Sequence, residues 1–108
     1  MKTEDKDTTI IIKKDSESFE ELAIQIGEQL SSMTDKNIII DLDDFEIRPS
    51  SLIPFEELAR FQMSQKKSFV IVADIDFDEV DDAMIVVPTL QEAFDMIQME
   101  EIERDLGF

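Results

Sequence analysis

Apolar residues fall along this chain in two alternating patterns, short unbroken runs and longer stripes at helical spacing. The runs are Thr8-Thr9-Ile10-Ile11-Ile12-Lys13-Lys14, Asn37-Ile38-Ile39-Ile40-Asp41-Leu42, Ser68-Phe69-Val70-Ile71-Val72-Ala73-Asp74 and the shorter Met84-Ile85-Val86-Val87. Near-continuous apolar, β-branched segments of this length read as strands covered on both faces, the condition of a parallel sheet. Asn37 to Leu42 is the best candidate for its middle.

Between the runs lie helices. Ser18-Phe19-Glu20-Glu21 is a capping box, and Phe19, Leu22, Ala23, Ile26 and Leu30 form one apolar face, predicting a helix from about Phe19 to Met33. Ser50-Ser51-Leu52-Ile53-Pro54-Phe55-Glu56-Glu57 offers hydroxyl caps and a proline of the kind a first turn tolerates; Phe55, Leu58, Ala59 and Gln62 continue the stripe to about Gln65. Thr89 and Glu92 repeat the capping logic before Leu90, Ala93, Phe94 and Ile97, and residues 98–108 extend this helix as an acidic tail. Residues 1–7 read as a polar arm. The alternation predicts an α/β fold: a single domain over residues 1–108, with a four- or five-stranded, mostly parallel or mixed sheet and three or four helices.

Composition narrows the chemistry. Ten basic against 27 acidic residues give a net charge of −17 over 108 residues, which repels phosphate backbones and anionic membrane surfaces; nucleic acid and membrane are not expected partners. Cysteine and histidine are both absent, which removes thiolate catalysis, disulfides and the commonest general base and transition-metal ligand. The first seven residues carry no apolar stretch behind them of signal-peptide character, and no run approaches a membrane span, so the expected location is cytoplasmic.

The densest carboxylate cluster is Asp74, Asp76, Asp78, Glu79, Asp81 and Asp82. Its Asp-x-Asp-x-Asp spacing resembles a calcium loop, but Glu79 stands where the turn glycine belongs and Ile85 where the bidentate glutamate belongs. Asp41 and Asp74 both fall at carboxyl ends of predicted strands, where open α/β sheets bind ligands, so a magnesium-dependent or phosphoacceptor enzyme built on them is an alternative; Val86-Val87-Pro88-Thr89 lacks the lysine a receiver-type phosphoacceptor needs. The only glycines, Gly27 and Gly107, cannot build a phosphate loop or nucleophile elbow. The tail, with Ile102, Leu106 and Phe108 as anchors, reads either as a frayed end or as a docking peptide, and the six methionines either as core filling or as an adaptable surface.

Asp41-Leu42-Asp43-Asp44-Phe45-Glu46-Ile47, followed by Ser50-Ser51-Leu52 opening a helix, resembles the central motif of STAS domains, the sulfate-transporter and anti-sigma-factor-antagonist family. Lys66 to Val72 and Val86-Val87-Pro88-Thr89-Leu90-Gln91-Glu92-Ala93 resemble later segments of the family, so the likeness spans roughly Thr8 to Ile97. The resemblance implies a STAS-like fold, a partner-switching type of regulatory role, and Ser50 as the phosphorylated position. Pro49 and Leu52 stand where the family has aspartate and glycine. The chain also resembles small STAS-like proteins labelled ribonuclease Z, but a histidine-free sequence cannot hold that enzyme's zinc pair.

The expected function is a noncatalytic protein-binding module using no cofactor and no metal. Its partner-binding surface is Ser50, Ser51, Leu52, Ile53 and Phe55, its partner a protein that the sequence does not identify, a basic one being the option its acidity would steer, and its own state a monomer or weak dimer. A nucleic-acid mimic that inhibits a nuclease is a further alternative.

Overall fold

The computed structural model describes residues 1–33, 35–75 and 84–107. The segment read as a polar arm is a strand, β1 (Lys2–Lys6), which forms an antiparallel hairpin with β2 (Thr9–Lys13). All five residues of β1 are exposed, so no apolar alternation announces it; its backbone pairs because β2 presents a free edge. Lysines and carboxylates along an edge strand also discourage further pairing. The hairpin turns at Asp7 (φ 67°), whose N–H is accepted by the Asp5 carboxylate at 2.9 Å, a local bond that lets an aspartate adopt the left-handed region.

The remaining elements are α1 (Phe19–Gln29), β3 (Asn37–Asp41), α2 (Glu56–Ser64), β4 (Phe69–Val72), β5 (Ile85–Val87) and α3 (Leu90–Asp105). The five strands lie in the order β1-β2-β3-β4-β5, with every pair after the hairpin parallel, so β3 occupies the middle as its apolar run predicts. The architecture is therefore α/β, a five-stranded mixed sheet with three α-helices among the described residues.

Successive strand residues point to opposite faces. One face carries Ile12, Ile38, Ile40 and Ile71, and it packs with Leu22 and Ile26 of α1 and with Leu52, Phe55 and Ala59 near α2. The other carries Ile11, Ile39, Val70, Val72 and Val87 and is closed by Ala93 and Ile97 of α3. Parallel crossovers of one hand put α1 and α2 on the same face, leaving the opposite face to α3.

The predicted caps of the first and third helices hold. Ser18 Oγ accepts from Glu21 N–H, and Thr89 Oγ1 accepts from Glu92 N–H, each at 3.1 Å. Two boundaries shift. The first helix ends at Gln29 and tightens into a 3-10 turn, Leu30–Ser32. The segment expected to open the second helix is a 3-10 stretch, Pro49–Phe55, and the α-helix proper starts only at Glu56. Pro54 has no N–H to offer the preceding turn, so an α-helical ladder cannot run through it. α2 then closes with Lys67 N–H on the Gln62 carbonyl and Lys66 N–H on the Met63 carbonyl, both at 3.0 Å, around Lys66 in the left-handed region (φ 60°). Among the described residues no helix is long and apolar enough to cross a membrane.

Candidate functional site

Strands β2, β3 and β4 reach the same sheet edge, where Lys13, Asp41 and Val72 stand in register. From Asp41 the chain dips inward: Leu42 is fully buried and its N–H donates to the Val72 carbonyl at 2.9 Å. A loop follows to Arg48. Its position is set partly by Lys14, whose ammonium lies 4.3 Å from the Phe45 ring centre and 5.2 Å from that of Phe19, tying the loop to the start of α1. Such cation–π contacts contribute about 0.5–1 kcal/mol at exposed sites.

The 3-10 stretch Pro49–Phe55 is locked at its entrance. Arg48 N–H donates to Ser51 Oγ at 3.3 Å, and Ser51 N–H donates to the Arg48 carbonyl at 2.9 Å. Of the two hydroxyls expected to cap this helix, neither caps α2: Ser51 supplies a local bond at the entrance of the 3-10 stretch and Ser50 does not. Ser50 is exposed.

The five residues predicted for partner binding divide sharply. Leu52 and Phe55 are fully buried, inside the cluster formed with α1 and the sheet. They anchor the segment and cannot themselves touch a partner. Ile53 is 59% exposed, since a side chain between two core-facing neighbours has no room on the same stripe. The free surface is thus Ser50 and Ile53, with Ser51 half-buried beside them.

The two aspartates of the enzyme alternative also sit at this edge. Asp41 accepts from Asp43 N–H at 3.2 Å and faces Lys13 Nζ at 3.8 Å, its cross-strand neighbour, so its carboxylate is already engaged. Asp74 is exposed just beyond β4. Asp76, Asp78, Glu79, Asp81 and Asp82 lie outside the described residues. Among the described residues no three or more carboxylates converge as a metal site would require.

Nearby, the N-terminal ammonium of Met1 meets Glu17 Oε2 at 2.8 Å with both groups 8% exposed, while Glu17 Oε1 accepts from Asp15 N–H. The Asp15 N–H first, and the ammonium second, hold the Glu17 carboxyl below its ordinary value. No local pattern could have signalled this pair, because it joins the first residue to the loop before α1.

A groove of about 440 Å³ lies at the other end of the molecule, lined by Lys66, Lys67, Arg104, Glu100 and Glu103 beside apolar Met63 and Phe69. It stands where α2 and α3 both end, and cations there complement the negative poles of the two helices. Its mixed charge selects no ligand. Compared with known proteins, the chain matches no family model, and no curated protein or solved structure is significantly similar to it.

Proposed function

We propose that this protein is a noncatalytic protein-binding module of the STAS type, which meets its partner through Ser50, Ile53 and the adjoining start of α2. The observation that carries this reading is Ile53 itself, an isoleucine 59% exposed on a segment whose neighbours Leu52 and Phe55 are fully buried. A surface held by two core anchors, two prolines and the Arg48–Ser51 bonds is ordered before binding, which lowers the entropic cost of association. The segments on either side of it expose Asp43, Asp44, Glu46 and Glu57 against Arg48 and Arg60, a net negative balance that favours a basic partner and opposes self-association of chains carrying −17 each. The resemblance to STAS domains adds Ser50 as the residue whose phosphorylation would release that partner. The noncatalytic reading rests on the side chains available: without histidine or cysteine, chemistry at this edge would fall to Asp41 and Asp74, and Lys13 with the Asp43 N–H already engages the first of them.

The test is capture of a partner from the native lysate by wild type, Ile53→Glu, Ser50→Asp and Asp74→Asn, each confirmed folded by circular dichroism. Loss of one captured protein with Ile53→Glu and its retention with Asp74→Asn is the expected result. Equal capture by Ile53→Glu would refute the surface. The enzyme alternative, favoured by Asp41 and Asp74 sharing the strand ends, predicts instead a magnesium-specific rise in melting temperature that Asp74→Asn abolishes.

A further inference from the structure

Helix α3 is apolar on two opposite sides. One side packs onto the sheet through Ala93 and Ile97. The other carries Met99, Ile102 and Leu106, which are 56%, 51% and 66% exposed. Spacings of three and four residues place these three on one stripe, and at about 100° per residue that stripe lies across the helix from Ala93 and Ile97. Nothing about the fold requires it, since the core is closed by the inner face.

The stripe is rigidly presented. Asn37, 1% exposed at the start of β3, donates from Nδ2 to Glu101 Oε1 at 3.3 Å, and Ser68, 2% exposed before β4, receives Arg104 Nη2 at 3.2 Å. Asn37 Oδ1 accepts in turn from Ser68 N–H at 2.9 Å. The C-terminal half of α3 is therefore fastened to two buried strand residues and does not splay as a free tail. Arg104 is the only cation of α3, and it is turned inward by this bond, whereas the helix carries the carboxylates of Glu92, Asp95, Glu100, Glu101, Glu103 and Asp105. The outer face is an apolar seam with acidic flanks.

We propose that Met99, Ile102 and Leu106 form a docking seam for a basic amphipathic helix of a partner protein, with apolar residues at the same three-four spacing and lysine or arginine on its flanks. Helices pack through such seams, and the flanking charge sets which helix is accepted. A second copy of this chain is disfavoured, because it would bring the same carboxylates against each other.

The probe is a synthetic peptide of about 18 residues, long enough to be helical, with leucines on one stripe and lysines elsewhere. A control peptide has the same composition with its leucines scattered. Calorimetric titration into the full chain at physiological salt should show stripe-peptide binding that weakens about tenfold or more with Ile102→Ser, and likewise with Met99→Ser, while Ile24→Ser, at an isoleucine of α1 that is 61% exposed, leaves it unchanged. The control peptide should bind weakly and equally to all variants. Indifference to Ile102→Ser and Met99→Ser would reduce the interaction to charge and overturn the proposal, as would absence of binding, an equal loss with Ile24→Ser, or a loss with Ile53→Ser in place of the seam variants. Sedimentation showing wild-type dimers that Ile102→Ser abolishes would assign the seam to a second copy and equally overturn it.

Discussion

Alanine substitution of two adjacent residues, Leu52 and Ile53, separates the anchor of the candidate surface from its contact point. Leu52 has no exposed surface and sits in the cluster with Ile12, Leu22, Ile26 and Phe55. Truncating a leucine so placed loses its transfer free energy and leaves a cavity, together costing about 2–5 kcal/mol. The middle of that range applies here, about 3 kcal/mol, because α1 and the sheet enclose the site from two sides. Against a total stability of about 5–15 kcal/mol this is a large fraction, and at roughly 4–8 °C per kcal/mol it lowers the melting temperature by more than 10 °C. Ile53 keeps more than half of its surface in water, so Ile53→Ala should cost under about 1 kcal/mol. The chain has no tryptophan or tyrosine, so urea unfolding is best followed by far-UV circular dichroism, with unchanged slopes confirming that only stability has moved. Equal losses for the two variants would refute the division of this segment into buried and free residues.

Three further outcomes follow from the local bonding. Ser51→Ala should cost about 0.5–1 kcal/mol through loss of the Arg48 N–H bond, whereas Ser50→Ala should stay within about 0.5 kcal/mol, and thermal melts showing the reverse order would contradict the bonding at the entrance of the 3-10 stretch. The Glu17 carboxyl is depressed in the folded chain, so its contribution is fully present above the unfolded value near 4.5 and is lost as pH falls through the lower folded value. The stability difference between wild type and Glu17→Gln should therefore be constant, at about 1 kcal/mol, from neutrality to about pH 5 and shrink on further acidification; a difference that grows in acid would reverse the sign. Gln62 is fully buried, donates to the Lys36 carbonyl at 3.0 Å, and has an Oε1 with no partner among the described residues. In Gln62→Met the lost bond and the relieved oxygen offset each other to within about 1 kcal/mol, while Gln62→Ala adds a cavity and should cost at least about 2 kcal/mol more, as chemical denaturation would measure.

Much of the fold was readable locally. Ile38-Ile39-Ile40 announces a strand covered on both faces, and Leu22, Ile26 and Leu30 announce a buried stripe, because periodicity alone decides which side chains share a face. Ser18 and Thr89 mark helix starts because a hydroxyl three residues before a free N–H closes a bond within one turn. The 3-10 stretch was only half readable: Ser50, Ser51 and Pro54 forecast a helix start, yet the delay of the α-helix to Glu56 follows from the one backbone donor that Pro54 lacks.

What the sequence determined by itself, then, is whatever depends on neighbours within a turn or on residue types absent altogether: the α/β alternation, the capping residues, the acidity, and the lack of histidine and cysteine. Tertiary structure decided everything that depends on a partner distant in the chain. Lys2–Lys6 is a strand only because β2 offers it an edge, and the carboxylate of Asp41 is engaged partly because parallel pairing brings Lys13 beside it. Of five candidate contact residues, packing against α1 and the sheet buried Leu52 and Phe55 and left Ile53 outside; helical spacing requires that so crowded a turn leave a side chain out, and how fully each of the others is buried is set by what lies across from it.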